Sequence, residues 1–139
     1  MKRSIKVRKI FAAITDMFIF SIFVRIILYG CLQLGVSSEI SFFAGLMIGG
    51  SINYILVPFY LNKQTLGMKM NGLVYSFVKS STSQQVIVLV LRFFSQLLLN
   101  IVLLGIPLAV NLFFLIWRKD GATIGDQLFS RVMINQESK

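Results

Sequence analysis

Three apolar stretches dominate the pattern along this chain, and the last of them is divided at Gly105 into two runs. The four resulting runs cover residues 10–34, 41–61, 84–104 and 106–117. A helix rises about 1.5 Å per residue and a hydrocarbon core is about 30 Å thick, so about 20 apolar residues are needed for one crossing. The first three runs meet this length. The pattern therefore predicts an all-α protein: a single domain over residues 1–139, built as a small polytopic bundle of transmembrane helices.

The last two runs allow two arrangements. As one straight helix, residues 84–117 would be about 50 Å long and would overshoot the bilayer. Gly105 and Pro107 mark the predicted break, because proline lacks a backbone donor and clashes with the preceding turn. Four membrane segments follow from this break. The alternative places residues 85–99 along the membrane interface and leaves three spans plus an interfacial amphipathic helix, and the polar stripe through Arg92 suits either arrangement.

The low content of charged residues indicates a lipid environment, and the positions of the cations predict the topology. Only 14% of the residues are charged, against roughly 25% in soluble domains. Lysine and arginine number 14 against five acids, and five of these cations lie within the first nine residues. The segment 62–83 holds three lysines and no acid, and Arg118 and Lys119 follow the last apolar run. Because cations collect on the cytoplasmic side, both termini are predicted to be cytoplasmic, in a multi-pass protein of a bacterial cytoplasmic membrane.

The sequence offers little for enzymatic or cofactor chemistry. The single Cys31 excludes an internal disulfide and a thiolate metal cluster, and the chain has no histidine. No paired carboxylates and no nucleophile beside a base stand out. There is no basic groove with interleaved aromatic side chains, which argues against a nucleic-acid partner. We therefore expect a protein that is not an enzyme, holds no metal or other cofactor, and has the lipid bilayer as its main partner.

Two ionisable residues inside the predicted spans are candidates for function, because a charge in the bilayer is costly. The short side chain of Asp16 cannot reach water through a leaflet, so it needs a partner, a proton or a water-filled cavity. Arg92 lies at a comparable depth in the four-segment arrangement and is the predicted partner. A static pair that holds the bundle together and a titrating carboxylate in an ion or proton path are the two alternatives.

Small residues recur at every fourth position of the second run. The stripe consists of Ser41, Gly45, Gly49 and Asn53. Its GxxxG pair lets two helix backbones approach closely where lipid supplies no hydrophobic drive for association. The stripe therefore predicts a helix contact at Gly45 and Gly49, either within the protomer or in a dimer. The alternative is that it lines a pathway.

Three segments of the chain resemble the RDD family of bacterial membrane proteins: RKIFAAITD at residues 8–16, TLGMKMNGL at residues 65–73, and the tail around Asp126. The family is named for one arginine at the start of its first membrane helix and two aspartates, one in that helix and one near the carboxyl end. The resemblance covers nearly the whole chain. It implies that Arg8, or Lys9 one register step along, is the arginine and that Asp16 and Asp126 are the aspartates.

The central segment resembles the family's stretch of threonine, proline, glycine and lysine. Leu66 replaces the usual proline and Met68 the usual basic residue, with Lys69 following. The positions that agree are Thr65, Gly67 and Gly72. In the predicted topology this segment, Arg8 and Asp126 meet on the cytoplasmic side, where Arg8 and Asp126 are expected to form an interfacial ion pair.

Members of the family have no generally agreed function, and transport, including sodium or proton exchange, is what has been proposed for some. The resemblance implies transport of ions or small ligands, as a subunit or as a homo-oligomer, because four short segments leave little room for a substrate path. The alternative is a non-enzymatic accessory or assembly protein. It would bind a larger membrane complex or anionic headgroups through the glycine stripe and the basic loop.

Overall fold

The computed structural model describes residues 4–77, 81–103, 105–118, 123 and 132–136, and this part of the chain is mostly helical. Its elements are helices α1 (Ile5–Gln33), α2 (Ser38–Tyr60) and α3 (Leu66–Met70), strand β1 (Leu73–Phe77), helices α4 (Thr82–Val102) and α5 (Ile106–Trp117), and strand β2 (Val132–Gln136). Three of the helices, α1, α2 and α4, are long and apolar enough to cross a membrane. Helix α5 is about 18 Å long and is shorter than a hydrocarbon core.

The apolar helices leave most of their side chains on the outside of the bundle. Only 11% of the most apolar window of α1, and the same share in α4, is buried. Phe18 and Leu98 are 69% and 64% exposed, and many other large apolar side chains of these helices are exposed with them. A monomer in water rarely exposes so much contiguous apolar surface. The structure therefore describes a membrane protein whose outer surface suits lipid.

The ends of the long helices follow from local side-chain chemistry. The Ser4 hydroxyl caps α1 by accepting a hydrogen bond from the Val7 N–H, at 3.4 Å. Ser81 and Gln84 form a reciprocal capping box at the start of α4. Gly105, with φ of +82°, stands where α4 and α5 are separated. This left-handed conformation favours glycine, and it places the break in the region where the sequence predicts one.

The all-α prediction is incomplete, because two strands form a small antiparallel sheet. Strand β1 pairs with β2 in a register that joins Leu73 to Gln136 and Phe77 to Val132. The sequence of β1, LVYSF, is rich in β-branched and aromatic residues, which fit a pleated, half-buried surface. The side chains of Leu73 and Tyr75 are buried, as expected for alternate positions of a strand with one covered face.

The most buried apolar cluster joins α1, α3, β1 and α4 at one end of the bundle. It consists of Ala12, Met68, Leu73, Tyr75 and Leu89. Three of these side chains come from α3 and the strand that follows it. The short segments after α2 are therefore packed onto the helices, and this packing determines where the polar residues of the loop lie.

Helices α1 and α2 pack closely through the glycine stripe. A Cβ added at Gly45 would lie 2.9 Å from the Val24 carbonyl oxygen, and one added at Gly49 would lie 3.2 Å from the Val24 nitrogen. Both glycines are buried. The stripe thus forms a contact between two helices of the same chain.

Gly45→Leu is expected to separate α1 from α2 and to lower the stability of the bundle by about 1–3 kcal/mol. The atom in the way belongs to the backbone of α1, which has no rotamer through which to move aside. Titration with a denaturing detergent, followed by circular dichroism, measures the effect. Gly30→Leu is the matched control, because a Cβ at Gly30 meets nothing within 4 Å. Equal stability of the two variants would contradict the close contact.

Candidate functional site

Helix α3 begins with a capped turn that prepares two hydrogen-bond donors. Thr65 has φ of −74° and ψ of 169°, outside the helical region, and its hydroxyl oxygen accepts a hydrogen bond from the Met68 N–H at 3.1 Å. This is the usual geometry of a threonine cap. It leaves the hydroxyl hydrogen of Thr65 and the N–H of Gly67, in the first turn, available for a group outside the helix.

The carboxylate of Asp16 receives both of these donors. Its Oδ2 accepts from the Thr65 hydroxyl, and its Oδ1 accepts from the Gly67 N–H at 2.8 Å. The side chain is only 6% exposed. A buried carboxylate needs such donors, because burial without them would cost several kcal/mol, on the order of 2–7 even for a neutral polar group. Asp16 of α1 therefore fixes the amino-terminal end of α3.

The sequence predicted Arg92 as the partner of Asp16, and this pairing stays a prediction; the observed hydrogen bonds of the Asp16 carboxylate come from the loop. Its two oxygens meet neutral donors from the loop, and the guanidinium carbon of Arg92 lies 5.9 Å from the centroid of the Tyr75 ring. That distance is within the range of a cation–π contact. The sequence led us to expect a cation beside the Asp16 carboxylate. In the structure two neutral groups, the Thr65 hydroxyl and the Gly67 N–H, donate hydrogen bonds to it.

A third contact connects Asp16 to α2. The side-chain amide of Asn53 is fully buried and donates to the backbone oxygen of Asp16, at 3.3 Å. Asn53 lies in a π-helical segment, Ile52–Leu56, inside α2. Single-turn π segments of this type often occur at functional sites. Asn53 is also the last member of the small-residue stripe, so a polar amide at the end of that stripe was the signal for this contact.

Arg8 fixes the other end of α3. Its Nε donates to the Asn71 carbonyl, and its Nη2 donates to the Gly72 carbonyl at 2.8 Å. Gly72 has φ of +59°, a conformation that favours glycine. Arg8 lies eight residues before Asp16, about 12 Å along the helix. Two residues of α1 thus hold both ends of the loop helix.

Arg8→Gln is expected to loosen the end of α3 and the start of β1, with a loss of about 2 kcal/mol, because two hydrogen bonds from a charged donor are removed. Hydrogen exchange measured on peptides covering residues 66–77 should become faster. Lys6→Gln is the control, since it removes the same charge from the same part of α1. If both variants exchange alike, Arg8 does not hold the loop.

Asp16 lies on the wall of a cavity of about 470 Å³ between α1, α2, α4 and α5. Its charged lining residues, within the described part of the chain, are Lys9, Asp16 and Arg92. Aromatic and aliphatic side chains make up most of the remaining wall. Among the described residues, no group of three or more His, Cys, Asp or Glu side chains is placed to hold a metal ion. The site is therefore a cavity of mixed character, with a loop-bound carboxylate at its edge.

The other predicted site residues fall into two groups. Thr65, Gly67 and Gly72 belong to the contact just described, whereas Lys69 is exposed on α3. Asp126 lies outside the described residues, so its pairing with Arg8 stays a prediction. Residues that the sequence did not single out are Asn71, which donates to the Gly67 carbonyl at 2.9 Å, and Tyr75. Comparisons with protein-family models, with curated proteins and with solved structures each found no match.

Proposed function

We propose that this chain is an RDD-like integral membrane protein of a bacterial cytoplasmic membrane. In this proposal it moves an ion or a small ligand across that membrane, as a subunit or as a homo-oligomer, and Asp16 is the residue on which the movement depends. The observation that carries the proposal is the position of Asp16: its buried carboxylate borders a cavity between helices of spanning length while a loop helix holds both of its oxygens.

The contact between Asp16 and α3 suits a conformational step. Each hydrogen bond contributes only about 1 kcal/mol net, or up to about 3 where one partner is charged. A ligand or proton that binds the undocked arrangement more tightly can therefore shift the balance between docked and undocked states. With α3 docked, Thr65 and Gly67 occupy the carboxylate. With α3 undocked, the same carboxylate is open to a cation from the cavity.

The spatial grouping of the motif residues supports membership of the RDD family. Arg8 and Asp16 come from the first helix, and the Thr65–Gly72 segment comes from the loop after the second. The first helix and the loop segment share four hydrogen bonds, which join residues 49 to 64 positions apart in the chain. A motif whose separate parts meet at one place is expected of residues that act together.

The alternative function, an accessory protein that binds a larger membrane complex, loses one of its two supports. Gly45 and Gly49 contact α1 of the same chain, so this part of the stripe does not offer a surface to a partner. The exposed Lys69 on α3 remains as a feature that could contact anionic lipid or an acidic partner.

The test is a flux measurement in proteoliposomes with imposed sodium and pH gradients. The intact protein and Glu39→Gln, which changes an exposed acid at the start of α2, are expected to support flux. Asp16→Asn is expected to abolish it while retaining the helical circular dichroism spectrum. Absence of flux in all three proteins, together with recovery of a stable partner from mild detergent, would replace transport with the accessory function.

A further inference from the structure

Helix α3 lies at the depth where the hydrocarbon core of a membrane begins. Its two ends contact Asp16 and Arg8 of α1, and the first apolar run of the chain starts between these residues, at Ile10. Asp16 is about 9 Å beyond that start along the helix. The headgroup layer on each side of a bilayer is only about 5–8 Å thick. The contacts with α1 therefore hold α3 at the boundary between headgroups and acyl chains.

The outer face of α3 combines a cation with an apolar side chain. Gly67 and Met68 are buried against the bundle, whereas Lys69 is exposed and Met70 is 76% exposed. At this depth the Met70 side chain is suited to contact acyl chains. The aliphatic stem of Lys69 can lie along the apolar surface and carry its ammonium group to the headgroups. This combination is typical of segments that lie at a membrane surface.

The end of α2 presents the same combination. Tyr60 is exposed, and aromatic side chains collect at membrane interfaces. Lys63 follows and is exposed as well. Its backbone is fixed, because its N–H donates to the Pro58 carbonyl at 2.8 Å and its carbonyl accepts from the Tyr75 N–H at 2.9 Å. We call Tyr60, Lys63, Lys69 and Met70 the basic interfacial surface.

The acids in the described part of the chain do not neutralise this surface. They are Asp16 and Glu39. Asp16 is buried, and its two oxygens accept hydrogen bonds from Thr65 and Gly67. Glu39 is at the opposite end of α2, about 32 Å from Tyr60 along the helix. Within residues 4–77, 81–103, 105–118, 123 and 132–136 the charges of the basic interfacial surface are therefore positive, and the group that complements them is an anion.

We propose that the basic interfacial surface binds the phosphate groups of anionic phospholipids, and that their binding at Lys69 stabilises the docked arrangement of α3. The partner is a lipid of the surrounding membrane, because Met70 and Tyr60 bring acyl-chain and interface contacts to the same surface as the two lysines. The proposal goes beyond transport and does not depend on it, since a lipid can favour docking of α3 whether or not an ion passes Asp16.

The effect on docking follows from the position of Lys69. Attraction to an anionic surface contributes up to about fivefold per cation to an equilibrium constant, or about 1 kcal/mol, and it falls off within about 10 Å. In the docked arrangement Asp16 and Arg8 hold α3, and with it Lys69, within this range. When the contact with Asp16 is broken, α3 can move outward and the attraction weakens. A ligand that binds one arrangement more tightly shifts the equilibrium toward it.

Hydrogen exchange of residues 65–72, measured in nanodiscs, tests the proposal and requires no ion gradient. One set of nanodiscs contains only zwitterionic phosphatidylcholine, and the other contains phosphatidylcholine mixed with anionic phosphatidylglycerol. We expect this segment to exchange up to about fivefold more slowly with phosphatidylglycerol. Inorganic phosphate added to the neutral nanodiscs separates a free anion from a lipid headgroup, and we expect it to leave the exchange unchanged. Because no flux is measured, failure of this test and failure of transport are distinguishable.

Three variants assign the effect to α3. Lys69→Gln changes an exposed position, where substitutions rarely alter stability, and we expect it to remove most of the difference between the two lipids. Lys69→Arg should keep the difference. Lys6→Gln, which removes the same charge from α1, should respond to phosphatidylglycerol like the intact protein. Equal exchange of the intact protein in both lipids would overturn the proposal, as would a full lipid effect in Lys69→Gln or an equal effect of inorganic phosphate alone.

Discussion

Gly67→Ala is expected to detach α3 from α1 and to lower the free energy of unfolding by about 3 kcal/mol. A Cβ at Gly67 would lie 2.3 Å from the Ala12 backbone oxygen and 2.9 Å from Cγ and Oδ1 of Asp16. The Ala12 oxygen is part of helix α1 and cannot move aside alone. The loop must therefore shift, and its shift removes the Gly67 N–H from a buried carboxylate oxygen.

Gly30→Ala is the control for this prediction, because a Cβ at Gly30 meets nothing within 4 Å. In an exposed part of a helix this change should be neutral or should stabilise by up to about 1 kcal/mol. Titration with a denaturing detergent gives the stability of each variant, and hydrogen exchange of residues 65–72 reports the docking of the loop. If Gly67→Ala unfolds and exchanges like Gly30→Ala, the close approach of α3 to α1 does not exist.

The helices could be predicted from the sequence because their signals are local. Apolar runs bounded by polar segments predicted helices near each of the four observed positions, and Gly105 marked the break between the last two. The capping residues Ser4 and Ser81 account for the starts of α1 and α4. The strands were missed because β1 lies within a polar segment, and its pairing with β2 joins residues about 60 positions apart. Such non-local pairing leaves no periodic signal within a short window.

The partners of Asp16 could not be found from side-chain types alone. Sequence reasoning matches a carboxylate to a cation, and Arg92 was the available one. A backbone N–H such as that of Gly67 exists at nearly every residue, so nothing in the sequence marks the one that is aimed at a buried acceptor. Its position depends on the cap at Thr65 and on the absence of a side chain at Gly67, which allows the two backbones to approach.

The two positions at which the chain departs from the pattern of the RDD family, to which we propose that it belongs, also have a physical interpretation. Leu66, where the family has proline, is the first helical residue after the Thr65 cap. Proline is frequent at that position because its missing N–H has no helical partner there, and other residues are tolerated as well. The replacement therefore leaves the contact with Asp16 intact. Met68, where the family has a basic residue, is buried in the apolar cluster, so this position contributes apolar packing to α3.

Thr65→Val and Asp16→Asn are expected to destabilise the protein by about 2 kcal/mol each, and the double variant by clearly less than their sum. Valine removes the donor to Asp16 Oδ2 and the acceptor of the Met68 N–H, so a buried oxygen is left without its hydroxyl and α3 loses its cap. Asparagine at position 16 can still accept a hydrogen bond from the Gly67 N–H through its amide oxygen. Its NH2 group, however, takes the place of the oxygen that accepts from the Thr65 hydroxyl. Once either residue has been replaced, the contact between them is already lost, so replacing the other costs less stability. Residues in direct contact commonly show interaction energies of about 0.5–3 kcal/mol.

The double-mutant cycle is measured by titration with a denaturing detergent on all four proteins. Thr15→Val is a matched control one residue from Asp16, because the Thr15 hydroxyl donates to the Phe11 carbonyl of its own helix at 2.8 Å. We expect it to change stability by no more than about 0.5 kcal/mol and to be additive with Asp16→Asn. Thr65→Ser keeps the hydroxyl and should retain most of the interaction with Asp16. Additivity of Thr65→Val and Asp16→Asn would mean that the hydroxyl and the carboxylate do not interact. The docking of α3 would then depend on the Gly67 N–H, on Arg8 and on apolar packing around Met68 and Leu73.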